Sequence, residues 1–114
     1  MSTKIRVYVA GPYTHPDPCI NVRRAVEAAE ELVDDGFIPY VPHLTHLWHL
    51  ISPHNIEFWY EYDLEWLSCC HALLRLEGVS IGADREVNVA KIKSIPVFYS
   101  VFDVVKWRAR YEGR

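Results

Sequence analysis

Three cysteines in 114 residues are too few, and the wrong number, for a disulfide framework. Two of them, Cys69 and Cys70, are neighbours and no CxxC pair exists, so a zinc ribbon is not indicated and the thiols fit a reducing compartment. Positive charge is also short. Twelve Lys and Arg face fifteen Asp and Glu, leaving a formal charge of −3, so nothing draws the chain generally to nucleic acid or anionic membrane. A polynucleotide partner is disfavoured. No stretch approaches the roughly 18 apolar residues of a membrane span, and Met1-Ser2-Thr3-Lys4 lacks the apolar run of a signal peptide. These absences point to a soluble, cytoplasmic protein with no membrane partner. Repeats, low-complexity tracts and linkers are missing too, and the length is too small for two ordinary domains, so one domain over residues 1–114 is expected.

What is present is enough apolar material, 50% of residues, for a single core. Four Trp, seven Tyr and four Phe supply flat surfaces for that core and for lining a pocket around a planar ligand.

The order of elements is legible from periodicity and punctuation. Ile5-Arg6-Val7-Tyr8-Val9-Ala10 alternates, is β-branched, and runs into Gly11-Pro12, the pattern of a strand ending in a loop. From about Asn21, Val22, Ala25, Val26, Ala29, Leu32 and Val33 recur at helical spacing, with Gly36 as a left-handed cap. Phe37-Ile38-Pro39-Tyr40-Val41 reads as a strand whose proline suits a sheet edge. Residues 43–51 are either a helical turn or a pocket-lining loop. Ser52-Pro53 has the order that starts helices, and residues 56–69 run on without Gly or Pro. Ala72-Leu73-Leu74-Arg75-Leu76 is a buried strand, residues 80–91 a helix opened by Ser80, residues 96–99 a fourth strand, and residues 103–111 a closing helix. Alternating strands and helices predict an α/β fold, a Rossmann-like or flavodoxin-like doubly wound parallel sheet in three α/β/α layers, with strand order 2-1-3-4. Ligands of such sheets bind beyond the carboxyl ends of the strands, so loops 11–18 and 77–82 are the ones to inspect.

The chemistry concentrates there. Ser80 caps a helix whose free N–H groups favour an anion, Gly82 lets a ligand approach the backbone, and Glu86 stands one and a half turns in, where the helix dipole helps keep it ionised. On spacing alone a solvated helix acid behind an ordinary cap explains Ser80 and Glu86 as well. Asp63 shifts the balance. It shares a helix face with Ile56, Tyr60 and Leu67, and an acid on such a stripe needs a partner, such as Arg23, Arg24 or Arg85, or a function. A nucleophilic carboxylate and a second carboxyl that manages the leaving group's proton are what retaining cleavage of a glycosidic bond requires. Glu86 and Asp63 fit those roles, and Tyr8 at the end of the first strand can orient the nucleophile. His43, His46 and His49 recur every third residue, but no carboxylate or cysteine has ligand spacing beside them, so no metal site is expected. That segment, with Trp48, is expected to help form the pocket. Arg108, Arg110 and Arg114 look like a solvated helix face.

Three segments, Tyr8-Val9-Ala10-Gly11-Pro12, Asp63-Leu64-Glu65-Trp66-Leu67 and Ser80-x-Gly82-x-x-x-Glu86, together resemble the nucleoside 2-deoxyribosyltransferase superfamily, which includes the 2′-deoxynucleoside 5′-phosphate N-hydrolases. The match runs in order across nearly the whole chain, and its most specific part is the Ser-x-Gly-x3-Glu element. The resemblance implies Glu86 as nucleophile, Asp63 as the acid or base serving the nucleobase and Tyr8 as orienter. It also implies that Ser80 and the Gly82 amide hold a 5′-phosphate in the hydrolase branch; Gly11, Pro12 and Tyr13, in the loop after the first strand, are expected substrate contacts beside them. No metal or organic cofactor is implied; a homodimer or larger homo-oligomer is. The chain departs from the pattern at His71, where Asp is frequent, and in having no basic residue after Gly11-Pro12, so free nucleoside and 5′-monophosphate both stay open as substrates. A module that keeps the crevice to bind or sense a nucleotide without reacting is the alternative from another class.

Overall fold

The structure is a computed structural model and describes residues 4–112. Four parallel strands, β1 (Arg6–Ala10), β2 (Ile38–Tyr40), β3 (Ala72–Arg75) and β4 (Val97–Phe98), form one sheet in the order β2-β1-β3-β4. Five helices connect and flank them: α1 (Pro18–Asp34), α2 (Thr45–Ile51), α3 (Ile56–Leu67), α4 (Ile81–Ile92) and α5 (Val101–Glu112). The expected α/β fold and strand order are both found. Pro39 sits in the edge strand, where its missing N–H breaks no ladder.

Period-two alternation in β1 divides the core. Val7 and Val9 face one side and pack with Ala25, Ala29 and Leu32 of α1 and Val104 of α5. Tyr8 and Ala10 face the other side with Leu67 at the end of α3 and Ala83, Val87 and Ala90 of α4. Helices on both faces make the three layers.

Several boundaries differ from the sequence reading. α1 begins at Pro18, three residues early, because Asp17 caps it by accepting from the Cys19 and Ile20 N–H groups and Pro18 occupies the first turn. Its core face is Asn21, Ala25, Ala29 and Leu32, which leaves Val26 and Val33 exposed. The end of α1 is as expected: Gly36 has φ of 90°, the Gly36 N–H reaches Val33 O and the Phe37 N–H reaches Leu32 O. Ser52-Pro53 does not start α3. Asn55 caps that helix instead, accepting from the Phe58 N–H at 2.8 Å. The undecided segment after β2 is a 3-10 turn (Pro42–Leu44) running into α2. His71, just before β3, accepts the Arg6 N–H on Nδ1 at 2.9 Å and so closes the start of the β1–β3 ladder. Arg110 is exposed as expected, but Arg108 is not simply solvated: it lies over the Phe37 ring, 4.3 Å from the centroid, and donates to Asp35 O. Arg114 and residues 1–3 lie outside the described residues.

Candidate active site

The parallel register of β1 and β2 makes Tyr8 and Tyr40 neighbours across the strands, with rings 5.6 Å apart. Both project toward the layer that contains α3 and α4. Each phenol meets a carboxylate from a different helix. Tyr8 donates to Glu86 Oε2 of α4, and Tyr40 donates to Asp63 Oδ1 of α3 at 3.3 Å. Trp66 stacks on Tyr40 from the outside, 5.5 Å between centroids, and holds that ring in place. Two acids far apart in sequence thus stand on adjacent phenol supports.

Burial governs their electrostatics. Glu86 is 8% exposed, and loss of solvation pushes its carboxyl up to about 7 against the Tyr8 hydrogen bond and the charges of Arg75 and Arg85. Asp63 is pushed to about 7 as well, by burial and then by the charge of Glu86, with the Tyr40 hydrogen bond opposing. The helix-dipole expectation for Glu86 is therefore reversed, because a dipole end weakened by one and a half turns is a smaller effect than removal from water. Burial and the two carboxylates raise the Tyr8 phenol well above its ordinary range, so it is a proton donor at any working pH. Among the described residues no arginine pairs with Asp63. Among the described residues Arg23 pairs with Glu27, and Arg85 pairs with Glu57 while lying 3.7 Å over the Tyr60 ring.

Glu86 and Asp63 line a cleft of about 700 Å³ at the carboxyl ends of the strands. The loop after β1 contributes Gly11, Pro12 and Tyr13, and the turn into α4 contributes Ser80 and Gly82. Ser80 Oγ accepts the Ala83 N–H at 3.0 Å, the expected cap. Over Gly82 a β-carbon would find only Ser80 Oγ, 4.0 Å away, so the space beside that stretch of backbone is open. Gly11 serves packing as much as access, since a β-carbon there would stand 3.0 Å from Leu76 Cβ. Tyr8 lies behind Glu86, fully buried, and supports the cleft without lining it.

Trp48 does not line the cleft. It packs edge-on behind Trp59, 5.2 Å between centroids, and Trp59 is the residue that forms the wall. The three spaced histidines do not converge either. His43 Nε2 bonds Pro12 O at 3.0 Å, His46 bonds the Tyr13 hydroxyl, and His49 Nδ1 accepts from the Trp59 indole at 2.8 Å. Among the described residues no group of three His, Cys, Asp or Glu side chains is arranged to hold a metal.

Sequence reasoning missed Tyr40, Trp59, Asn21 and Arg75, whereas His43 and His49 of the segment expected to help form the pocket do line the cleft. Buried Asn21 fixes the loop after β1 by donating to Tyr13 O and His15 O at 2.9 and 2.8 Å. Arg75 carried a visible signal, a charge inside an apolar strand, of the same kind that singled out Asp63.

Residues 5–100 match the model of a family described as Domain of unknown function (DUF7768). The chain belongs to that family. Among solved structures this DUF7768 chain is similar to a 2-deoxyribosyltransferase from Bacillus psychrosaccharolyticus, with a TM-score of 0.62, 19% identity, and coverage of 81% of this chain and 69% of that one. At that identity the likeness is one of fold. A comparison of the DUF7768 chain with curated proteins finds no match. No helix among the described residues is long and apolar enough to cross a membrane.

Proposed function

We propose that the chain cleaves or transfers at the N-glycosidic bond of 2-deoxynucleosides through a glutamyl-glycosyl intermediate. One observation carries this: two carboxyls from separate helices, each supported by its own phenol and each titrating near 7, share the floor of one cleft. At neutral pH such a pair holds about one proton between its two sites. The reactive form has Glu86 ionised and Asp63 protonated. Glu86 attacks C1′ as the bond from C1′ to the base nitrogen breaks, the electron pair leaves with the base, and Asp63 delivers the proton to it. Asp63, now a carboxylate, takes the proton from an incoming water or second base that attacks C1′ and frees Glu86. Tyr8 orients Glu86 by occupying Oε2, which leaves the other oxygen to react.

Trp59, Tyr60, His49 and His54 form an aromatic wall for the base, backed by Trp48. The 5′ end lies at Ser80 and the Gly82 amide, at the N-terminus of α4. No Lys or Arg is among the described residues lining the cleft, and a phosphate dianion would share the space with two carboxyls. That favours the free nucleoside over the 5′-monophosphate. Superfamily resemblance adds a homo-oligomer, and Leu47, Leu50, Ile51 and Ile56, all exposed near the cleft, offer the apolar surface for one.

The test is incubation with a panel of deoxynucleosides and their monophosphates, with and without acceptor bases, followed by chromatography for released base and new nucleoside. Glu86→Ala is expected to remove turnover and leave the circular dichroism unchanged. Release of base by that variant would defeat the assignment, and binding without any release by the wild type would favour a sensing module.

A further inference from the structure

Arg75 is the last residue of β3 and the register partner of Ala10. Strand alternation sends its side chain to the same layer as Leu73, toward α4, where it is nearly covered. A buried guanidinium needs acceptors, and three are supplied, two from the turn that follows and one from the first turn of α4. One nitrogen donates to Leu76 O; the other donates to Gly78 O at 3.0 Å and to Asp84 Oδ1 at 2.9 Å. The turn it grips is tight: Gly78 has φ of 122°, and Pro12 of the cleft wall packs where a β-carbon would be. Asp84 lies in the first turn of α4, two residues before Glu86, with its own side chain largely in solvent.

We propose that Arg75 is the positioning residue for Glu86, fixing the first turn of α4 to the end of the sheet and setting the field in which that carboxylate works. The single fork does both. Its geometry joins β3, the turn and α4, and its charge is held on the cleft side of the sheet by an acid whose removal would leave that charge uncompensated. The groups that act on Glu86 are Tyr8 from β1, which donates to it, and the charges of Asp63 from α3, Arg85 from its own helix and Arg75 from β3. Arg85 is engaged by Glu57 and Tyr60 at the surface, which leaves Arg75 as the buried cation of the set. Asp84 becomes the tuning handle: neutralising it strengthens Arg75's hold on Glu86, and neutralising Arg75 weakens it.

This rests on reading Glu86 as the attacking carboxylate, and the experiment keeps the two questions apart by observing Glu86 directly. Protein carrying side-chain 13C-labelled glutamate is titrated by NMR, with the Glu86 signal assigned from its loss in Glu86→Gln. Arg75→Gln is expected to raise the Glu86 midpoint by at least about half a pH unit, Arg75→Lys to keep it near wild type, and Asp84→Asn to lower it. Opposite shifts cannot arise from a purely structural clamp. A midpoint unmoved in both Arg75→Gln and Asp84→Asn overturns the proposal, and so does a rise in Asp84→Asn. Should Arg75→Gln not fold, Arg75→Met, which fills the buried space of the stem without the charge, is titrated in its place, and an unmoved Glu86 midpoint there overturns the proposal. Absence of nucleosidase activity leaves these titrations readable and refutes only the function proposed above.

Discussion

Glu86 and Asp63 are held at a cost, and the cost has a sign. Each folded-state midpoint, near 7, lies above the ordinary carboxyl value, so both groups favour the folded state when protonated. That contribution is complete below about pH 4 and is lost as pH climbs through 7. Glu86→Gln keeps an oxygen for the Tyr8 hydroxyl and removes the charge. We expect it to be more stable than wild type at pH 8, by on the order of 1–3 kcal/mol, with the difference vanishing toward pH 4. Urea unfolding at the two pH values checks this, and equal stability at pH 8 would mean Glu86 is not buried as described. Turnover should follow the singly protonated pair, giving a bell in kcat/KM with its maximum near neutrality. Tyr8→Phe removes a hydrogen bond that favours the ionised form of Glu86, so the acidic limb of that bell should move to higher pH while the basic limb stays.

Two glycines, Gly78 in the turn after β3 and Gly82 in the first turn of α4, have different reasons to be there. Gly78 takes a left-handed φ of 122° with Pro12 against it, so Gly78→Ala combines backbone strain with a clash 2.7 Å from Pro12 Cγ. We expect a loss of at least about 1–2 kcal/mol in stability, read by thermal unfolding. Gly82 has no such constraint, and Ala there meets open space in a helix that prefers it. Gly82→Ala should therefore unfold no earlier than wild type and yet bind deoxynucleosides at least about tenfold more weakly by calorimetry, the added methyl filling the open space beside the backbone. Undiminished binding would remove the N-terminus of α4 from the site.

The molecule as a whole carries more exposed apolar surface than its cleft accounts for. Leu47, Leu50 and Ile51 on α2 and Ile56 at the start of α3 are each about two-thirds or more exposed. Patches of this kind mark interaction surfaces. The wild type is expected to sediment as a dimer or larger at micromolar concentration, and Leu47→Glu with Ile51→Glu to shift it to the 13.3 kDa monomer. A monomeric wild type would assign that surface elsewhere.

Local chemistry was sufficient to write down the order of strands and helices other than α2, the edge position of the proline-bearing strand, the Gly36 cap and the Ser80 cap, because alternation, helical spacing and capping act over a few residues. The same locality made Asp63 conspicuous, since an acid on an apolar stripe is anomalous wherever the chain goes. Other features had no local signature. That Tyr40 would stand beside Tyr8 and hold Asp63 depends on the register of two parallel strands thirty-odd residues apart. That Trp59 and not Trp48 forms the wall depends on how α2 leans on α3. And whether Glu86 feels the helix end or the loss of water is decided by what packs over it, a property of the closed fold that no neighbouring residue encodes.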